Sequence, residues 1–158
     1  MYALNLLLTA LDWNFVLVTS MLASITAQII KVIINLVIFG RFIPERMWGA
    51  GGMPSSHSAK VCAMVVATAR FCGVHSTLFA LAVVIAVIVM YDAMGVRYET
   101  GEQAKILNHM LREWMDQNSE SMPFLRDTKL KEMVGHTPIE VVSGAALGIL
   151  LGYVMPLP

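Results

Sequence analysis

Charge is what this sequence has least of. Only 14% of its 158 residues are Asp, Glu, Lys or Arg and 57% are hydrophobic, where soluble domains carry roughly 25% charge. The eleven basic and eleven acidic residues cancel. A nucleic-acid partner would gain no electrostatic support from such a chain, and none is expected. No Lys or Arg precedes Lys31. The N-terminus therefore lacks the basic region of a secretory signal peptide and is expected to be retained. Cysteine is almost absent too, with Cys62 and Cys72 alone. Ten positions apart on one helix, they would stand roughly 15 Å apart along the axis, too far for a disulfide. No Cys/His spacing resembles a zinc site, so neither metal nor cofactor is expected. Long repeats and low-complexity tracts are missing as well.

What the chain has instead is long apolar runs. Segments at about 15–39, 57–72, 77–95 and 138–155 read as membrane spans, each set against the requirement of about 20 mostly apolar residues. Tyr2 to Ala10 is apolar but short, and Asp12 and Asn14 follow it. It reads either as an interfacial helix or as the outer end of the first span. Residues 98–135 are polar by contrast, yet Leu107, Met110, Leu111, Trp114 and Met115 recur at helical spacing. That pattern predicts an amphipathic helix, packed on the bundle or lying in the headgroup layer. Pro123 should break it, and a short helix from about Thr128 to Val134 should end at Gly135. The fold class is all-α: a polytopic membrane helical bundle of about four transmembrane helices with an amphipathic helical insertion, in one domain over 1–158. Gly144, Gly148 and Gly152 lie four apart, as do Ala59, Ala63 and Ala67, and as do Thr19, Ala23, Ala27 and Lys31. Small residues at this spacing let membrane helices approach closely. The glycine face is expected to meet the alanine ladder of the second span.

Two short stretches carry the chemistry-bearing residues. In GAGGMPSSHSAK at 49–60, Ser55 or Ser56 can cap the helix that follows. Its first turn then offers free N–H groups and a positive dipole end, an anion site beside His57. The plainer reading is a capped helix start whose histidine faces a loop. In His136-Thr137-Pro138-Ile139-Glu140, Thr137 and Glu140 form a capping box with Pro138 at the first helical position. That accounts for three residues and leaves His136 unexplained. The functional alternative has Glu140 holding one ring N–H of His136, so that the other nitrogen can attack an electrophile. Lys31, inside the first span, either faces the protein interior or snorkels to the interface. Counting spans puts Arg41, His57, Arg97 and His136 on one membrane face.

PSSHSA at 54–59 resembles the PSGHSA block of the type 2 phosphatidic acid phosphatase and vanadium haloperoxidase superfamily, and HTPIEVVSG at 136–144 resembles its HxPxDVxxG block. With AQIIK, YDAMGVR and GEQAKILN, the whole chain looks like the divergent bacterial and plastid branch of that superfamily. The resemblance implies that His136 is the nucleophile forming a phosphohistidine. Glu140 takes the place of the orienting aspartate, and His57 is the general acid. Ser56 replaces the glycine whose amide touches phosphate, with Ser55 beside it. Lys31 and Arg41 resemble the first motif's basic pair, more widely spaced here. Where the third motif carries its arginine, this chain has Leu130 with Lys131 next to it. Arg97, at the end of the preceding span, is assigned that role, with 98–135 as an insertion. The implied function is a metal-independent phosphohydrolase acting on a phosphorylated lipid, without a cofactor. The alternative is a catalytically inactive membrane protein that binds or transports such a lipid. A haloperoxidase ranks third, since those are generally soluble. Membrane lipids are the expected surroundings, and homo-oligomerisation is left open.

Orientation follows from the basic residues. Arg41, Arg46, Arg97, Lys105, Arg112, Arg126, Lys129 and Lys131 fall on the face bearing both histidines, against Arg70 alone on the other. Cytoplasmic loops carry the excess of Lys and Arg. The expectation is a multi-pass protein of the bacterial plasma membrane, with its active face in the cytoplasm and both termini outside.

Overall fold

The computed structural model describes residues 2–40, 51–117, 129–132 and 134–158. Among them are five helices and no strand: α1 (Tyr2–Phe39), α2 (Ser56–Cys72), α3 (Thr77–Met94), α4 (Val96–Gln117) and α5 (Pro138–Val154). Together they form a helical membrane bundle.

Asn14 divides α1. Its backbone leaves helical geometry (φ −162°, ψ 92°), and its side-chain oxygen accepts the Leu17 N–H at 3.0 Å. It thus caps a fresh helix, and the apolar segment Asn14–Val37 is long enough to cross a bilayer. The cap falls one residue before Phe15, from which the first span is counted in the sequence. The ladder of Thr19, Ala23, Ala27 and Lys31 is buried along its whole length.

α2 is the least apolar of the four spans read from the sequence, and its packing explains why that suffices. It lies against α1, α3 and α5, so little of it needs to face lipid. Ala23 and Ala27 of α1 meet Ala59 and Ala63 of α2 in one cluster, with Leu147 and Leu151 of α5 packed over them. Gly148 sits so close to α2 that a Cβ there would lie 2.2 Å from the Ala59 carbonyl oxygen, and one on Gly144 would lie 2.3 Å from that of Ser55. The glycine face of α5 meets the alanine ladder, as the spacing predicted. Large side chains turn outward instead: Leu78, Leu81, Val84 and Ile88 on α3, and Val142, Leu150 and Tyr153 on α5. Both cysteines are free thiols.

At the end of the bundle opposite His57 and His136, Arg70 of α2 donates to the carbonyls of Gly152 and Met155 at 2.8 and 2.6 Å. A cation there satisfies the open C-terminal carbonyls of α5 and complements its dipole.

The polar insertion departs from expectation in one part. α4 is present and amphipathic, beginning directly after Gly95. The short helix expected over about Thr128–Val134 is not found: residues 129–132 and 134 are non-helical. The reason is Asn108, 5% exposed on α4. Its carboxamide accepts the Leu130 N–H at 2.9 Å and donates to the Leu130 carbonyl at 2.9 Å. A side chain that satisfies a residue's N–H and C=O removes the need for helix bonds there.

Candidate functional site

The site is built where three helix ends meet. Ser55 caps α2, its hydroxyl oxygen accepting the Ser58 N–H at 3.3 Å. Its own backbone N–H donates to the Glu140 carbonyl at 3.0 Å. Ser55 therefore ties the start of α2 to the start of α5. Ser56 follows as the first residue of α2 and is buried, while His57 is exposed.

On the α5 side, the His136 N–H donates to the Ala93 carbonyl at 3.0 Å, which fixes the loop before α5 to the end of α3. A Cβ on Gly135 would fall 2.3 Å from the Tyr98 nitrogen. Only glycine permits this approach of the loop to the first turn of α4.

One Glu140 oxygen serves both readings left open by the sequence. Oε2 accepts the Thr137 N–H at 3.1 Å and lies 3.1 Å from His136 Nδ1. The carboxylate caps α5 and orients the imidazole together. With Nδ1 engaged as donor, the proton is assigned to that nitrogen. His136 is 2% exposed, and its Nε2 is buried without a hydrogen-bond partner among the described residues. Burial pushes the ring below the ordinary imidazole range. The hydrogen bond and charge of Glu140 oppose that push, while the charges of Lys31 and Arg97 add to it. The ring nitrogen that faces away from Glu140 is thereby kept as a free base.

His57 lies across from it, the ring centroids 6.1 Å apart and the planes at 66°. Lys31 completes the interior. It is 1% exposed, and its Nζ has no hydrogen-bond partner among the described residues. Its stem runs under Gly52, where a Cβ would meet Lys31 Cδ at 3.4 Å. Lys31 therefore faces inward at the glycine loop and does not snorkel. Arg97 is half exposed, and its Nε donates to the Asp92 carboxylate. Lys131 stands exposed on the segment paired with α4. Of the two cations considered for the third motif, Arg97 is the one whose charge acts on His136.

His136, Glu140, His57, Lys31 and Arg97 are thus drawn together at one end of the bundle, with Ser55 and Ser56 at its floor. Arg41 lies outside the described residues. Among the described residues no group of three His, Cys, Asp or Glu side chains could hold a metal ion. Sequence reasoning missed Asp92 as the partner of Arg97 and Asn108 as the holder of the loop. YDAMGVR carried the first signal, an acid one turn before a cation, but the break at Gly95 hid the pairing.

The description "Divergent PAP2 family" matches residues 13–151. The chain belongs to that family. It is also similar to a protein of Bacillus subtilis (strain 168) named "Uncharacterized membrane protein YuiD", 41% identical over 148 residues that cover 90% of this chain and 94% of the relative. No solved structure matches. The chain is thus a PAP2-related membrane protein.

Proposed function

We propose that this protein is a metal-independent phosphohydrolase that removes phosphate from a phosphorylated lipid through a phosphohistidine. The observation that carries the reading is His136: Nδ1 tied to Glu140 and Nε2 buried with no hydrogen-bond partner among the described residues. An imidazole so held is a nucleophile with one lone pair directed away from its orienting carboxylate.

In the first step Nε2 of His136 bonds to phosphorus and the bond from phosphorus to the lipid oxygen breaks. His57, protonated, gives its proton to the departing alkoxide, which leaves as the free alcohol. Glu140 stabilises the positive charge that the phosphorylated imidazole acquires. In the second step a water attacks phosphorus and His57 takes its proton. Phosphate leaves, and the electron pair of the P–N bond returns to Nε2. Lys31 and Arg97 offset the charge on the phosphoryl oxygens, with the amides at the head of α2. Arg41 is assigned the same task from the sequence alone.

A second reading, a non-catalytic binder or carrier of a phosphorylated lipid, draws on one feature. Arg97 is already paired with Asp92, which leaves fewer free cations to offset the charge that builds up on a phosphoryl group during transfer. The two readings separate in purified protein given isoprenoid, phosphatidate and phosphatidylglycerol phosphate substrates. The phosphohydrolase reading expects phosphate release that orthovanadate inhibits and His136→Ala abolishes. Binding of these lipids without release would favour the carrier, and an active His136→Ala would overturn the mechanism.

The proposed setting is the bacterial plasma membrane with the histidine face toward the cytoplasm, on the strength of the basic-residue count.

A further inference from the structure

Residues 129–132 and 134–136, which precede α5, run back along α4, antiparallel to it, and are pinned at successive points. Leu130 is held by Asn108 through both its N–H and its carbonyl, at 2.9 Å each. The other Asn108 amide proton goes to Glu132 Oε1 at 2.8 Å. One turn or more earlier on α4, Gly101 lets the Glu132 backbone in, since a Cβ there would lie 2.6 Å from the Glu132 carbonyl oxygen. Gly135 then abuts Tyr98, and His136 bonds to Ala93. As the loop number rises from 130 to 136, the contact on the helices falls from 108 to 93. The helix acts as a ruler along which the loop is laid.

Among the described residues of this segment none is helical before Pro138. Its register at 130–132 is therefore set by a side chain that pairs with its backbone, Asn108. Asn108 is buried at 5% exposure, and its carboxamide offers both donors and its acceptor to this one segment. No other common side chain presents that combination at that length.

We propose that Asn108 is a positioning residue for His136: by setting the register of 130–132 on α4 it fixes where the imidazole meets Glu140 and His57. It touches no substrate and acts through the loop. The catalytic consequence rests on the phosphohydrolase reading; the placement of His136 does not.

The two are tested separately. Asn108→Ala removes all three bonds, and Asn108→Asp keeps the size and the acceptor while losing both donors. Glu132→Gln is the control, because its side-chain oxygen still accepts from Asn108. The first readout is acylation of each histidine by diethyl pyrocarbonate, followed by mass spectrometry in folded, detergent-purified protein. His75 and His109, both exposed, are internal references. In the wild type His136 should react slowest. In Asn108→Asp and Asn108→Ala it should react about tenfold faster, since a lost set of buried hydrogen bonds opens the loop. The reference histidines and the Glu132→Gln protein should not change. The second readout is phosphate release, where Asn108→Asp should lower kcat by about 10²-fold, as expected for a misplaced nucleophile, with KM little altered. Unchanged His136 acylation in a folded Asn108→Asp protein overturns the proposal. If the wild type releases no phosphate, the phosphohydrolase reading fails while the acylation result still decides the role of Asn108. If Asn108→Ala does not fold, the isosteric Asn108→Asp decides it alone.

Discussion

Glu140 places two demands on one oxygen atom, and they can be separated by chemistry. As a cap, Oε2 need only accept the Thr137 N–H. As the partner of His136 it must also carry charge, because that charge raises the affinity of the ring for a proton against the effect of burial. A carboxamide oxygen can still accept both hydrogen bonds but brings no charge. Glu140→Gln should therefore keep α5 capped and lower the His136 pKa further. The sign follows directly: the reacting form is neutral imidazole, present above the pKa and lost as pH falls through it. The wild-type acid limb of kcat/KM should lie below the ordinary imidazole value of about 6.5, and in Glu140→Gln it should move to still lower pH. The rate on the plateau should fall on the order of 10²–10⁴-fold, because the cationic phosphohistidine loses its stabiliser. A pH–rate profile of phosphate release checks both, and an acid limb that moves upward would contradict the assignment. Glu140→Ala should also remove the cap, costing about 1 kcal/mol of stability.

The contact between α2 and α5 is where the bundle has least tolerance. Backbone meets backbone at Gly144 and Gly148, whereas Gly152 faces the side chain of Val66, 2.8 Å from where a Cβ would sit. The Val66 Cβ is as fixed as a helix carbonyl, so the depth of overlap decides: a Cβ would lie 2.2 Å from the nearest atom at Gly148 against 2.8 Å at Gly152, where the Ala63 carbonyl oxygen stands at 3.1 Å. Gly148→Ala should therefore destabilise the bundle by about 1–3 kcal/mol, the usual cost of overpacking, with Gly152→Ala costing less and Gly148→Leu preventing assembly. Thermal unfolding in detergent, followed by circular dichroism, gives the order; equal losses at 148 and 152 would refute it. This contact also marks what the sequence made legible. Ladders of small residues, caps at Ser55 and Thr137, and apolar runs all carry their signal within a turn or two of chain, so they can be read before any fold is known. The Glu140–His136 pair is four residues apart and was readable for the same reason. Asn108 was not, because its partners are 22 and 24 residues away, on a segment whose own sequence looks helical. Asp92 and Arg97 lie close in sequence, but only the break at Gly95 turns them toward each other. Long-range pairings of single polar groups leave no periodic trace, and those are what a sequence conceals.

At the scale of the whole molecule, the two ends of the bundle differ in how they handle cations. At one end Arg70 is consumed by the structure: its Nη1 bonds two carbonyls of the α5 terminus, and its guanidinium lies 5.8 Å from the ring centroids of Phe15 and of Tyr153. That end offers the surrounding water little free positive charge. At the other end Arg97, Lys105, Lys129 and Lys131 lie exposed around the histidine site, and Arg41, Arg46, Arg112 and Arg126 belong to the same face by sequence. Positive residues are retained on the cytoplasmic side because moving them through the bilayer is costly, and loops this short fall within the reach of the rule. The substrate phosphate would then be met from the cytoplasm, by a site whose lipid-facing walls on α3 and α5 are lined by outward apolar side chains. The orientation can be read with a cysteine on each face, in a chain carrying Cys62→Ala and Cys72→Ala. His109→Cys places the thiol on the exposed side of α4, and Leu157→Cys places one beyond α5, at the opposite end. In intact cells a membrane-impermeant maleimide should label position 157 at once and reach position 109 only after the membrane is permeabilised. The reverse pattern, rapid labelling at 109 with protection at 157, would place the phosphate site outside the cell and overturn the orientation.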